Sequence, residues 1–76
     1  MKVLADCGKR GSARKILIQD QKKKLYICYC YFGNPSQDFV IDDKENLIPD
    51  GIIRSNILII ARQYIFNNYV MEGQLW

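Results

Sequence analysis

The sequence predicts an α+β domain, in which an antiparallel meander sheet of three or four strands is packed on one face by a single C-terminal helix. Residues 25–32 (LYICYCYF) are rich in aromatic and branched side chains, which is typical of a strand. From about residue 50 to about residue 69, apolar residues recur at helical spacing. A chain of 76 residues forms one domain, so residues 1–76 are treated as a single unit.

The first strands come from the N-terminal third. Residues 2–5 predict a short first strand, and residues 7–12 predict a loop because two glycines interrupt the pattern. Residues 14–19 predict a second strand, in which Ile16 and Ile18 share one face because side chains alternate along a strand.

The remaining strands follow after clear turn signals. The polar residues 20–23 predict a turn, and the strand at 25–32 is expected to pair with its predecessor as an antiparallel hairpin. Residues 33–36 (GNPS) predict the next turn, since proline cannot continue a strand ladder. Residues 39–42 predict a short strand, and residues 43–49 a polar connection to the helix.

The helix is expected to begin near Asp50, whose carboxylate can accept hydrogen bonds from amides of the first turn. Pro49 keeps the preceding loop from being helical. The periodic pattern runs to about Tyr69, and Gly73 lies beyond its expected end. The stripe expected to face the core consists of Ile53, Ile57, Ile60, Ala61, Tyr64 and Ile65.

The strand at residues 25–32 is apolar on both faces, although one helix covers only one of them. Cysteine is among the most buried residue types and is small enough to let a helix approach. We therefore assign the cysteine face to the core: Tyr26, Cys28, Cys30 and Phe32. The opposite face, with Leu25, Ile27, Tyr29 and Tyr31, is then left partly open.

The helix also carries a second apolar line on its far side. Ile52, Ile59 and Phe66 are seven residues apart and therefore lie within about 40° of one another. This line predicts a docking stripe for another helix or a groove of a partner. Alternatively, loops cover Ile52, and Phe66 folds over the end of the sheet.

Tyr29 and Tyr31 are the second candidate for partner binding. Tyrosine is a frequent hot-spot residue of protein interfaces, and it also stacks on single-stranded bases. The alternative is a half-exposed sheet face in which tyrosine is simply a good strand former.

The positive charge of the chain is concentrated in its N-terminal third. Residues 1–24 hold eight basic and two acidic residues, hence +6, whereas residues 25–76 hold three basic and six acidic residues, hence −3. The basic residues predict contacts to phosphates or to an acidic protein surface, or else a solvated and soluble turn. The candidates are Lys9, Arg10, Arg14, Lys15, Lys22, Lys23 and Lys24.

Cysteine and histidine usage argues against a metal site and against an enzyme. There is no histidine, which removes the commonest metal ligand and the commonest general base. Three cysteines without a second pair make a weak metal site, and an activated Cys7 thiol would lack a proton acceptor. A disulfide from Cys7 to Cys28 or Cys30 is an alternative, but reduced thiols in the cytoplasm are the simpler interpretation.

Phosphate and calcium loops are not indicated either. The glycines at residues 8 and 11 lack the spacing of a phosphate-binding loop, and no helix follows them directly. The acidic residues lack the oxygen spacing of a calcium loop, so we expect them to cap, turn and solvate: Asp38, Asp42, Asp43, Glu45 and Asp50. No apolar run approaches the length of about 18–20 residues that spans a membrane. The N-terminus also shows no apolar core long enough to predict a signal peptide.

These observations predict a small non-catalytic interaction protein, a regulator or inhibitor, that docks on a protein partner through an apolar and tyrosine-bearing surface, associates with itself, or does both. A protein that handles nucleic acid is one such partner. The alternative function is sequence-tolerant nucleic-acid binding through the basic N-terminal third. We expect no cofactor, no metal, no membrane and no small-molecule substrate.

Overall fold

A computed structural model describes residues 1–70 of the chain, which form four strands, one α-helix and two short helical segments. The strands are β1 (Lys2–Arg10), β2 (Ala13–Gln19), β3 (Leu25–Tyr31) and β4 (Phe39–Asp42). A 3-10 turn, Pro35–Gln37, precedes β4. The helix α1 spans Ile52–Ile65, and a π-helical segment, Phe66–Val70, continues it.

The sheet is an antiparallel meander with the strand order β1-β2-β3-β4, and α1 packs against one of its faces. This architecture confirms the predicted α+β class with four strands and one C-terminal helix. The turns are short, so each strand pairs with its neighbour in sequence.

The core lies between the sheet and α1. Ile16 pairs with Cys28, and Cys28 pairs with Val40, so one row of buried side chains crosses three strands. The strand face with the cysteines is therefore the core face, as the sequence predicted. The buried cluster consists of Ile16, Ile18, Tyr26, Cys28, Cys30, Val40, Ile57, Ala61 and Ile65. Among the predicted stripe residues, Ile60 and Tyr64 pack against this cluster while only partly buried.

The first strand is longer than predicted, because the expected loop at residues 7–12 is mostly part of β1. Its pairing with β2 shifts register between Val3 and Ala5 and again between Asp6 and Lys9. Gly8 lies within the second shift with a φ of 83°, a conformation that glycine adopts without strain. The glycine therefore marks a bulge in the strand and not its end.

Two residues assigned to the core from sequence lie outside it. Phe32 is 49% exposed, because it follows the last residue of β3 and extends beyond the sheet. Ile53 is 58% exposed, because it lies in the first turn of α1, where the sheet covers only part of the helix. Helical periodicity gives the direction of a side chain but not the point at which the opposing layer ends.

The N-terminus of α1 also differs from the prediction. Gly51, and not Asp50, is the N-cap residue, and no side chain caps the first turn. Gly51 has a φ of 154°, which favours glycine at this position. Asp50 instead lies 3.4 Å from the Arg54 guanidinium. Gly73, which the sequence places beyond the helix, lies outside the described residues.

Candidate interaction surfaces

The face of the sheet opposite α1 is apolar, and we call it the outer face. Side chains alternate along each strand, so the residues between the buried ones point away from the helix. Antiparallel sheets that face water usually present polar side chains there. Here the polar side chains are Lys15 and Gln19 of β2 and, by the register of β1 with β2, Lys2 and Arg10. The apolar set is larger and consists of Leu17, Leu25, Ile27, Tyr29, Tyr31, Phe39 and Ile41, all half-buried.

The aromatic residues of the outer face contact one another. The rings of Tyr29 and Phe39 are stacked, with centroids 4.7 Å apart, and Tyr31 lies 6.4 Å from Phe39. The Lys15 ammonium lies 6.0 Å from the centroid of the Tyr29 ring. The sequence predicted Tyr29 and Tyr31 as an exposed pair, but it did not identify Phe39 as their neighbour. Only the register of β3 with β4 shows that.

The far side of α1 carries a second apolar surface, the helix seam, formed by Ile52, Ile59 and Phe66. Their side chains are 80%, 63% and 49% exposed. The sequence left open that a loop buries Ile52 and that Phe66 packs on the end of the sheet. Within residues 1–70, neither side chain is buried in this way. The seam and the outer face lie on opposite sides of the molecule.

A surface cleft of about 400 Å³ adjoins the N-terminal end of the helix seam. Ile52 and Ile53 form one wall, and Tyr26 and Ile48 form part of the rest. The exposed side chain of Ile53 thus lines a mostly apolar cleft, whose two charged lining residues are Lys24 and Asp50. A concave apolar site of this size accommodates a large side chain of a partner.

The basic candidates do not form one patch. Lys9 and Arg10 lie at the β1–β2 turn, whereas residues 22–24 form the β2–β3 turn at the opposite end of β2. With seven residues in β2, the two turns are roughly 20 Å apart. Lys15 lies between them, on the outer face.

Arg14 faces the helix side and takes part in an internal network. Its guanidinium donates to the Asp6 carboxylate at 2.9 Å and lies 4.0 Å from the centroid of the Tyr69 ring. The Tyr69 hydroxyl also donates to Asp6, which additionally accepts the Gly8 N–H at 2.9 Å. The Arg14 side chain is nearly buried and paired with Asp6 in this network. It is therefore not available to contact a phosphate.

The same network shifts two pKa values in opposite directions. Burial opposes ionisation of Asp6, but hydrogen bonds from Tyr69 and the Gly8 N–H, together with Arg14, outweigh it, so the pKa of Asp6 lies below its ordinary value. The hydrogen bond to Asp6, with burial, raises the pKa of Tyr69 to about 12. The network therefore joins the segment after α1 to β1 and β2 most strongly at intermediate pH.

We expect Tyr69→Phe to lower the free energy of unfolding at neutral pH by about 1.5–3 kcal/mol, because it removes a hydrogen bond to a carboxylate. In the unmodified protein, the Tyr69 contribution is complete below pH 10.0 and is lost as the pH rises towards 12. The Asp6 contribution is present above pH 3.8 and is lost as the pH falls through its lowered pKa. Urea unfolding across this pH range measures both losses.

The control for this prediction is Tyr64→Phe. The Tyr64 hydroxyl lies 3.5 Å from the same Asp6 carboxylate, so its loss should cost less. Tyr69→Phe should also flatten the alkaline decline, because the group that titrates there is gone. Equal effects of the two substitutions would contradict the assigned network.

Asp38 has a role that the sequence did not reveal. It was expected to turn or solvate, but it is only 4% exposed, and Arg62 of α1 donates two hydrogen bonds to its carboxylate at 2.7 Å. The carboxylate also accepts the Tyr31 N–H at 2.8 Å. Its backbone carbonyl accepts a hydrogen bond from Arg54 at 2.8 Å. Asp42, in contrast, accepts N–H groups of its own turn, as expected of a turn aspartate.

All three cysteines are free, Cys28 and Cys30 in the core and Cys7 on the surface. The sulfur atoms of Cys28 and Cys30 lie 3.7 Å apart, and this contact together with burial raises the pKa of the Cys28 thiol. We expect a thiol reagent to modify Cys7 rapidly and the other two only after denaturant is added. Three equally fast reactions in native buffer would contradict this assignment.

Residues 1–70 hold no group of three potential metal ligands, and no helix among them is long and apolar enough to cross a membrane. The chain matches no known family model, no curated protein and no solved structure.

Proposed function

We propose that this chain is a small non-catalytic interaction protein, a regulator or inhibitor, that uses the helix seam to dock on a protein partner. The observation that carries the proposal is the exposure of Ile52, Ile59 and Phe66 in register along one side of α1. Single exposed apolar residues are normal on protein surfaces, but an aligned set marks an interaction site. The free thiols fit a reducing, cytoplasmic setting.

The charge around the seam favours a protein over a nucleic acid. Ser55 and Gln63 beside it are polar and uncharged, and α1 contains no lysine and no acidic residue. Its two arginines, Arg54 and Arg62, donate to Asp38. Near the cleft, Lys24 is accompanied by Asp50, so a polyanion would find no net positive charge there, whereas an apolar groove would match the seam.

The cleft beside Ile52 supports the same proposal. Interfaces take most of their binding energy from a few large side chains that fill pockets. The cleft provides such a pocket directly next to the seam, so one continuous surface offers both a ridge and a depression. A partner helix or loop with one large apolar side chain would use both.

The alternative function, sequence-tolerant nucleic-acid binding, has less support from the geometry. Arg14 is engaged with Asp6. The other basic candidates are divided between two ends of the sheet, except Lys15, which lies between them on the outer face. The two functions respond differently to salt. Binding through phosphates weakens with a log–log slope near −0.9 for each contact, whereas apolar docking is nearly insensitive to salt.

The test is an affinity pull-down from the native host, with nuclease treatment, using the unmodified chain and two variants. Ile59→Asp places a carboxylate in the seam, and we expect it to abolish capture of the partner, since a hot-spot truncation alone costs about 2 kcal/mol or more. Leu47→Asp is the matched control, because Leu47 is equally exposed but lies outside α1. Capture that is lost with nuclease, or that survives Ile59→Asp, would overturn the proposal.

A further inference from the structure

The outer face requires its own explanation, because the helix seam is on the other side of the molecule. Leu17, Ile27 and Ile41 form a continuous apolar row across three strands. Beside this row, the stacked rings of Tyr29 and Phe39 form a second one. Exposing these apolar side chains to water is unfavourable, so burying the outer face against a partner would be favourable.

We propose that a second copy of this chain covers the outer face, sheet against sheet, with a two-fold axis parallel to the strands. The product is a four-layer dimer with the order helix, sheet, sheet, helix. This inference rests, like the proposed function, on the premise that the chain is a binding protein. It concerns a different surface, the outer face, and a different partner, a second copy of the chain. The dimer would present its two helix seams outward, and so would bind a repeated partner twice.

Association through the edges of the sheet is disfavoured. The β1 edge carries two register shifts, and such bulges interrupt the ladder that a new strand would extend. The β4 edge is already occupied, because Ile48 N–H donates to the Val40 carbonyl and Asp42 N–H donates to the Asn46 carbonyl. The outer face of the sheet, and not its edges, is therefore available to a partner.

The aromatic geometry favours a protein surface over single-stranded nucleic acid at this face. Base stacking requires an open ring face. One face of the Tyr29 ring is covered by Phe39, and the Lys15 ammonium lies 6.0 Å from the ring centroid. The rings thus form an apolar layer among themselves, which is the surface that another sheet packs on.

One placement of opposite charges at the rim of the outer face fits a copy of the same chain. Lys2 pairs with Gln19, which pairs with Leu25, so Lys2 lies at one corner of the outer face. Tyr26 pairs with Asp42, so the next residue, Asp43, is level with Leu25. Asp43 therefore lies across the sheet from Lys2, at the β4 edge. A two-fold axis parallel to the strands places β1 of each copy over β4 of the other, which brings Lys2 of one protomer near Asp43 of its partner, twice in each dimer.

The available area indicates a dimer of modest affinity. Four strands, spaced about 4.8 Å apart and about seven residues long, give a flat face of roughly 400 Å² per copy. Protruding side chains add to this accessible area. Two copies would bury roughly 1,000 Å², which lies at the lower limit for specific interfaces. We therefore expect dissociation in the micromolar range or weaker, and self-association that depends on concentration.

The test is sedimentation equilibrium over micromolar to millimolar concentrations, with circular dichroism to confirm folding. Lys2→Glu should weaken the dimer about tenfold, because two ion pairs become repulsive, and Lys2→Glu combined with Asp43→Lys should restore it. Lys22→Glu, in the β2–β3 turn, is the matched control and should change nothing. These sites are exposed, so the variants should fold normally.

Ile27→Thr is the second variant, because threonine keeps the β-branched shape while making the centre of the outer face polar. We expect it to abolish dimerisation, and Ile59→Asp to leave dimerisation intact. Oxidative footprinting of the unmodified protein, in which Tyr29 and Tyr31 become protected as concentration rises, gives a measurement independent of mutation. A monomer at millimolar concentration, a failed charge rescue, or binding of a single-stranded oligonucleotide to this face in place of dimerisation would overturn the inference.

Discussion

Asp38→Ala is expected to destabilise the fold by about 2–4 kcal/mol, because it removes a buried carboxylate that accepts hydrogen bonds from Arg62, whose side chain is 30% exposed. Arg62 would lose two hydrogen bonds, and the Tyr31 N–H would lose its acceptor. A domain of 76 residues has a total stability of roughly 4–11 kcal/mol, so this single change takes a large part of it. Urea denaturation followed by circular dichroism measures the loss.

Asp50→Ala is the matched control, since Asp50 also lies beside an arginine of α1. Its side chain is 94% exposed and lies 3.4 Å from Arg54, and exposed pairs of this kind contribute little. We expect its unfolding midpoint to stay close to that of the unmodified protein. Similar midpoints for Asp38→Ala and Asp50→Ala would show that the Asp38–Arg62 pair does not hold α1 to the sheet.

Ile57→Asp is expected to abolish folding. Ile57 is fully buried between α1 and the sheet, so the substitution removes an apolar contact and places an unpaired carboxylate in the core. The lost packing alone costs about 2–5 kcal/mol, and the desolvated charge adds to this. Circular dichroism should show a disordered chain where the unmodified protein shows helix and sheet.

Ile59→Asp is the comparison for this prediction. Ile59 is two positions further along the same helix, but it points to solvent. Its substitution should therefore leave the circular dichroism spectrum and the unfolding midpoint almost unchanged, within about 0.5 kcal/mol. If Ile59→Asp unfolded the protein as Ile57→Asp does, the helix seam would be part of the core and not a docking surface.

Local patterns in the sequence were sufficient to predict the sheet-and-helix architecture. Turn residues separate the strands. The alternation in residues 25–32 put Cys28 and Cys30 on one face, and the small size and usual burial of cysteine correctly assigned that face to the core. The helical period placed Ile57 inward and Ile59 outward for the same reason: side-chain direction repeats with the backbone. Turn residues, strand alternation and helical period each depend on residues close together in the chain, so they can be read from a single sequence.

The tertiary structure alone decided where each layer ends and which distant residues meet. Phe32 and Ile53 have the periodicity of core residues, yet they lie beyond the reach of the opposing layer. Asp38 and Arg14 resemble surface charges in the sequence, and each is engaged by a partner from another element, Arg62 and Asp6 respectively. The cost of burying a charge is offset only by a partner at the right distance, and that distance is set by how the helix and strands pack together.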